Sequence, residues 1–92
     1  MATILKTNGT QQKVQPKNGT DFQLDELQEI VGGYIEIVRV NTGELIICND
    51  NGKLYGLPVN DNATMLAHHF NAIAKDDFIV GDVLICNKNQ VK

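Results

Sequence analysis

The sequence contains no serine and no tryptophan, and Arg39 is its only arginine. Without serine, a Ser-His-Asp catalytic arrangement is excluded. Eight basic residues stand against eleven acidic ones, which gives a net charge of −3, and the basic residues form no run. Binding to a nucleic acid polymer depends on a basic patch or stripe, so the sequence predicts no such partner.

Long hydrophobic runs are also missing, and no stretch approaches the ~20 apolar residues of a membrane-spanning helix. Residues 1–6 are too few for a secretion signal and predict a first strand instead. Cys48 and Cys86 each end an apolar run, which is typical of buried free thiols in a cytoplasmic protein. No Gly-x-Gly-x-x-Gly or Gly-x-x-x-x-Gly-Lys motif occurs, so we expect no phosphate-binding loop and no cofactor.

Ninety-two residues predict one domain, spanning 1–92, with a polar tail at 87–92 that should fray. Asn8-Gly9 lies between two short β-prone segments and predicts an N-terminal hairpin with a type I′ turn, which needs positive φ at both central residues. Asp25 and Glu26 lie near the start of a helical apolar stripe that predicts a first helix over 24–31.

Gly32-Gly33 should end this helix, since glycine takes a left-handed conformation without strain. Beyond it, the segments 34–40, 44–49 and 53–57 are separated by Asn- and Gly-containing turns and predict a central meander. The apolar run 45–48 indicates a strand that is buried on both faces.

A second helix is expected from Asn62 or Ala63 to Ala74, with Asn60 or Asp61 as its N-cap. A C-terminal strand should follow over 78–86, with a bulge or bend at Gly81-Asp82. The predicted fold is therefore α+β: a mostly antiparallel sheet of about five to six strands with two short helices packed on one face.

Catalytic and metal-binding constellations are weakly represented. His68 and His69 are adjacent, so on a helix they diverge by about 100° and bind one metal poorly. We expect His69 to be half-buried and His68 exposed, and no metal site. Glu36 and Asp82 each interrupt an apolar strand, and they would form a catalytic pair only if they flanked one groove.

Binding residues are easier to nominate. Tyrosines in or beside loops, next to exposed backbone and amide groups, are typical of ligand contacts. The candidate ligand-binding residues are Tyr34, Glu36, Arg39, Tyr55, Gly56 and Asn60.

Three segments together resemble a family of small uncharacterised domains carried by phages, plasmids and their bacterial hosts. They are VGGYIE at 31–36, GKLxGLPxN at 52–60 and IVGDVLIC at 79–86. The family often has a proline- and arginine-bearing version of 59–61, and Val59-Asn60-Asp61 departs from it, so no basic ligand contact is expected from this loop. The resemblance implies a phage or mobile-element origin and a location in the bacterial cytoplasm.

Such a protein, small and without catalytic parts, suggests an accessory factor. The first hypothesis is a non-catalytic module that sequesters a small nucleotide-like signal of host immunity. The second is a domain that binds and inhibits a host protein through a sheet edge or an acidic face. A small enzyme using Glu36 and Asp82 is the third. Open strand edges and a thin core further favour a homo-oligomer.

Overall fold

The structure is a computed structural model that describes residues 2–91. One five-stranded sheet, with every pair of neighbours antiparallel, forms its centre. In chain order its strands are β1 (Ala2–Leu5), β2 (Gln11–Val14), β3 (Ile35–Arg39), β4 (Glu44–Asn49) and β5 (Val83–Asn87). Their order across the sheet is β2-β1-β5-β4-β3. The helices are α1 (Leu24–Val31) and α2 (Asp61–His69), so the predicted α+β class is confirmed.

The N-terminal hairpin is confirmed, but its turn is not type I′, because Gly9 has a positive φ and Asn8 does not. The turn is instead a three-residue one over 7–9, in which Gly9 N–H donates to Lys6 O at 3.0 Å. Gly9 has a φ of 89°, and Asn8 Oδ1 accepts a hydrogen bond of 3.0 Å from Thr10 N–H. The turn closes with Lys6 N–H donating to Thr10 O at 3.0 Å. β1 then pairs with β5 on its other side, which joins the hairpin to the rest of the sheet.

β4 is buried on both faces, as its apolar run predicts. Leu45 and Ile47 face a core that includes Leu27 and Val31 of α1. Ile46 and Cys48 face a second core with the two buried alanines of α2. The helices therefore lie on opposite faces of the sheet, and the prediction of both on one face is wrong. Two apolar faces each need a cover, and one-sided helices would leave Ile46 and Cys48 in water.

α1 occupies the predicted residues and begins at Leu24, after the N-cap Gln23, which takes extended backbone angles. Glu26 accepts the Gln23 N–H at 2.8 Å and so compensates for a weak capping residue. The helix ends at Gly32, whose φ is 81° and whose N–H donates to Gln28 O at 2.8 Å. Gly33 N–H reaches the same carbonyl at 3.1 Å.

α2 is shorter than predicted, because it ends at His69, with Phe70 as its C-cap, rather than at Ala74. Asn71 takes a φ of 55°, a left-handed conformation that asparagine tolerates better than most residues. Ala72 N–H then folds back onto Ala67 O at 2.8 Å, and residues 72–79 continue without a helix or strand.

The predicted third strand of the meander, 53–57, is wrong. This segment forms a series of turns in which Tyr55 N–H donates to Asn51 O at 3.0 Å and Leu57 N–H to Gly52 O at 3.0 Å. Gly52 packs so closely that a Cβ there would lie 2.7 Å from Val80 Cγ2. The turns that follow Gly52 therefore prevent residues 53–57 from extending as a strand beside β4.

The predicted C-terminal strand begins late, at Val83. Gly81 bends the chain with a φ of 78°, as expected at Gly81-Asp82. Val80 makes only an isolated bridge to Val59.

Residues 88–90 form a 3₁₀ turn after β5. Lys88 N–H donates to Gly43 O at 2.9 Å, Gln90 O accepts from Phe22 N–H at 2.7 Å, and Val91 packs against the α1-side core. These contacts join residues 88–91 to the rest of the fold, and Lys92 lies outside the described residues. The fraying of 87–92 stays a prediction. Within residues 2–91, no helix is long and apolar enough to cross a membrane.

Candidate functional site

Tyr34 and Tyr55 meet at one surface depression, although 20 residues separate them in the sequence. Tyr34 is 70% exposed and Tyr55 66% exposed, which is unusual for such large rings. The depression has a volume of about 370 Å³. Its other lining residues are Gln28, Glu29, Gly33 and Asn51. We call it the tyrosine depression.

The end of α1 positions Tyr34. Gly33 lies against Asn49, whose Nδ2 would be 3.1 Å from a Cβ at this glycine. Asn49 Nδ2 donates to Val31 O at 3.0 Å, and Tyr34 O accepts from Asp50 N–H at 2.9 Å. The buried Asn49 therefore joins the helix end to the turn that carries Tyr55, and both rings project from a fixed backbone.

Charge is scarce in the tyrosine depression. Of residues 2–91, Glu29 is the only acidic one that lines it, and no lysine or arginine does. Within the described part of the chain, the side-chain amides of Gln28 and Asn51 make no hydrogen bond. Two amides and two phenol groups thus remain available to a ligand, beside two ring faces.

Glu36 and Arg39 line a different and larger cavity of about 540 Å³. It lies on the α2 side of the sheet, between β3 and the segment 72–80; we call it the β3 cleft. Glu36 is opposite Cys48, whose Sγ lies 3.8 Å from its Oε1. Arg39 pairs with Leu45, which faces α1, so strand alternation directs the Arg39 side chain away from Glu36.

The far wall of the β3 cleft is held by a chain of polar contacts. Lys53 forms an ion pair with Asp77, and its Nζ lies 4.5 Å from the centre of the Phe78 ring. The hydrogen bond from Lys53, followed by that from Phe78 N–H, lowers the pKa of Asp77. His68 Nε2 lies 2.8 Å from Asp77 O and ties α2 to this wall.

Asn60 has a structural position that leaves nothing for a ligand. It is fully buried. Its Oδ1 accepts from Ala63 N–H at 3.1 Å, and its Nδ2 donates to Leu5 O and Gly81 O, each at 2.9 Å. Gly56 is exposed in the same turn as Tyr55, with a φ of 70°, and lines neither the tyrosine depression nor the β3 cleft. Of the six candidates, Tyr34 and Tyr55 line the tyrosine depression together. Glu36 and Arg39 both line the β3 cleft, with their side chains on opposite faces of the sheet.

The proposed catalytic pair is not assembled. Asp82 accepts from Thr7 N–H at 3.0 Å and lines a cavity beside α1, whereas Glu36 lies on the α2 side. Burial, and next the charge of Glu36, raise the pKa of Cys48 to about 12. Burial also raises the pKa of Cys86 to about 11. Both thiols are therefore protonated and poorly nucleophilic near neutral pH.

The histidines are arranged opposite to the prediction. His68 is half-buried against Asp77, and His69 is exposed with an edge contact of 4.8 Å to Phe70. The buried residues of α2 are Ala63 and Ala67. In residues 2–91, no group of three or more His, Cys, Asp or Glu side chains could hold a metal.

Several lining residues were not predicted from the sequence. Gln28 and Asn51 in the tyrosine depression, and Asp50, Lys53 and Phe78 in the β3 cleft, come from segments that meet only in the folded chain. One signal was available: Asp50, Asn51 and Lys53 follow the end of β4, where polar residues of a turn often carry function.

Of three comparisons with known proteins, one finds a match, and that match is to a protein family. No curated protein matches the chain, and no solved structure matches it. The family described as "Domain of unknown function (DUF3846)" matches residues 1–91. Because this match covers nearly the whole sequence, the chain belongs to the DUF3846 family.

Proposed function

We propose that this protein is a non-catalytic binding module that holds the planar base of a small nucleotide-like ligand in the tyrosine depression. The observation that carries the proposal is the convergence of Tyr34 and Tyr55, both largely exposed, on one concavity. Exposed aromatic rings on a fixed backbone are suited to stacking, and stacking is worth about 1–3 kcal/mol per base.

The polar groups of the depression suit the edge of a base. The amides of Gln28 and Asn51 each offer a donor and an acceptor, the combination that a nucleobase edge displays. No cationic side chain of the described residues lines the depression to pair with a phosphate, and Glu29 would repel one. Recognition would therefore be directed to the base and sugar, with phosphates directed towards solvent.

A holding role fits the remaining chemistry. The two thiols are protonated near neutral pH, and Glu36 and Asp82 lie on opposite sides of the sheet. The resemblance to domains of phages and plasmids supports a role as an accessory protein in the bacterial cytoplasm. In that setting, binding without turnover would sequester a nucleotide signal of host defence.

Thermal unfolding with a ligand panel tests the proposal. The panel comprises adenosine, guanosine, cyclic mono- and dinucleotides, and ADP-ribose. A ligand at 100 times its Kd should stabilise the protein by about 2.7 kcal/mol and raise the Tm by about 11–22 °C. Absence of any shift across the panel would contradict the proposal.

Variants localise the binding. Tyr34→Ala and Tyr55→Ala should each weaken the affinity by about tenfold or more, as measured by calorimetry. Tyr55→Phe should retain most of it, because the ring remains. Leu54→Ala is the matched control, since Leu54 is 81% exposed in the same turn but does not line the depression. Equal losses in the Leu54 and tyrosine variants would count against this site.

A further inference from the structure

The two edges of the sheet differ in how well they are protected. β2 forms one edge, and Gln11, Gln12 and Lys13 are exposed along it, with Pro16 shortly after. Polar residues, lysine and proline are the usual means by which an edge strand avoids new partners. β3 forms the other edge, and three of its five residues are isoleucine or valine. It therefore resembles an interior strand that lacks one neighbour.

Hydrogen bonding fixes which backbone groups of β3 face outwards. Val40 N–H donates to Glu44 O at 3.0 Å, and Tyr34 O accepts from Asp50 N–H at 2.9 Å. Even-numbered residues thus direct their backbone groups to β4, because alternate residues of a strand bond to the same neighbour. Ile35, Ile37 and Arg39 consequently present their N–H and C=O groups at the open edge.

The β3 cleft opens onto this edge. Ile37 lines it, although its side chain packs on the α1 side, so the cleft reaches the edge backbone itself. Glu36 and Asp50 line the same cleft and are exposed. Lys53 is already paired with Asp77. Among the described residues only the Cys48 thiol approaches the Glu36 carboxylate, and no side chain pairs with Asp50. Arg39 also lines the cleft, but strand alternation directs its side chain to the α1 side. Among the described residues, the Glu36 and Asp50 carboxylates therefore have no cationic partner on the α2 side of this open strand.

We propose that β3 binds an extended segment of a partner protein as a sixth strand of the sheet. In this partner segment, basic and apolar side chains alternate. Its basic side chains lie on the α2 side, where they meet Glu36 and Asp50. Its apolar side chains lie on the α1 side, beside the half-buried Ile35 and Ile37. Backbone hydrogen bonds supply affinity in such strand addition, and alternate side chains supply specificity.

Charge argues for this occupant over a second copy of the chain. In an antiparallel pair of two β3 strands centred on Ile37, the odd residues bond correctly, but each Glu36 then lies diagonally across from the other. Like charges at such positions destabilise a strand pair. The basic side chains of a partner segment would instead be attracted to the Glu36 carboxylate. This surface is separate from the tyrosine depression, so the two proposals stand or fall independently.

Peptide binding measured by fluorescence anisotropy tests the proposal on the 92-residue chain. The probe is a fluorescein-labelled seven-residue peptide of alternating lysine and valine, and the charge control alternates glutamate and valine. The Lys/Val peptide should bind saturably, with an affinity that falls as salt rises, and the Glu/Val peptide should not bind. Equal binding of both peptides, or binding of neither, would overturn the proposal.

Variants separate the charge from the edge. Glu36→Gln and Asp50→Asn should each weaken the Lys/Val peptide by about threefold. Asp25→Asn removes the same charge from an exposed position of α1 and should have no effect. Ile37→Pro should abolish binding, because its N–H faces outwards and proline blocks the edge without removing a bond to β4. Unchanged binding in Ile37→Pro would overturn the proposal.

A modified peptide gives the same information without altering the protein. N-methylation of every second amide removes donors on one side of the peptide strand only. One methylation register should abolish binding and the other should preserve it. Equal binding of the two registers would refute strand addition. Light scattering after size exclusion completes the test: a dimer that Ile37→Pro converts to monomer would show that a second copy occupies the edge, and would overturn the choice of a basic partner.

Discussion

At the level of single residues, Asn60 connects three separate segments of the chain from a fully buried position. Its side chain joins the end of β1, the bend before β5 and the first turn of α2, through Leu5 O, Gly81 O and Ala63 N–H. Its backbone N–H adds a bond of 2.8 Å to Ile79 O. Because these groups are buried, water cannot replace the side chain if it is lost.

Asn60→Ala should lower the free energy of unfolding by about 3 kcal/mol, since it removes a helix cap and leaves buried carbonyl groups unpaired. Urea denaturation monitored by circular dichroism measures the change. Asn62→Ala, at an exposed position two residues along, should cost less than about 0.5 kcal/mol. Similar costs for the two variants would mean that the Asn60 bonds contribute little.

The two buried cysteines should make the free energy of unfolding decrease as the pH becomes alkaline. Folding raises the pKa of Cys48 from 9.0 to about 12 and that of Cys86 to about 11. Above pH 9 the unfolded chain therefore releases protons that the folded chain retains, which favours unfolding. This part of the stability is complete below pH 9 and is lost as the pH rises to about 11–12.

A variant carrying Cys48→Ala and Cys86→Ala should lose less stability than the natural chain between pH 8 and pH 10. The difference should be at most about 1.4 kcal/mol per pH unit for each thiol. Urea midpoints at the two pH values provide the measurement. An identical pH dependence in both proteins would contradict the burial of the thiols, as would rapid labelling of the native thiols at pH 8.

At the level of elements, α1 is stabilised more by Glu26 than by its nominal cap. Glu26 is 7% exposed and accepts two backbone N–H groups, from Gln23 at 2.8 Å and from Lys17 at 2.9 Å. It thus fixes both the first turn of the helix and the loop that leads to it. Its charge at the N-terminus of α1 also interacts favourably with the helix dipole.

Glu26→Ala should therefore lower the free energy of unfolding by about 2 kcal/mol. Glu29→Ala removes an exposed carboxylate from the same helix and should change it by less than about 0.5 kcal/mol. Urea denaturation of the two variants and of the natural chain measures these changes in the free energy of unfolding. If Glu29→Ala proves as costly, the loss reflects net charge rather than capping.

At the level of the whole molecule, a central strand connects two separate cores. β4 supplies Leu45 and Ile47 to the α1 side, and Ile46 and Cys48 to the α2 side. Neither core can form without the strand that belongs to both. Ile46 and Ile47 are each fully buried, so each side of the molecule depends on a neighbouring residue of one strand.

Ile46→Ala and Ile47→Ala should each cost about 2–5 kcal/mol, because each leaves a cavity. Both should still unfold in one transition, with the same midpoint by circular dichroism and by tyrosine fluorescence. Two separated transitions in either variant would show that the α1 and α2 sides unfold independently, contrary to a shared strand.

The sequence by itself determined the local elements of this protein. The bounds of α1, the Asn8-Gly9 turn and the two-sided burial of β4 follow from φ preferences and from periodicities of 3.6 and 2, which act over a few residues. The same two-sided burial contained the signal for helices on opposite faces, since each apolar face of the sheet must be covered.

Only the tertiary structure decided how distant segments meet. Residues 53–57 have the composition of a strand, yet the packing of Gly52 against Val80 coils them into turns that bring Tyr55 beside Tyr34. Asn60 carries the amide of a ligand contact but is buried by three segments that converge on it. These outcomes depend on contacts between residues far apart in the chain, and local propensities are too weak to specify them.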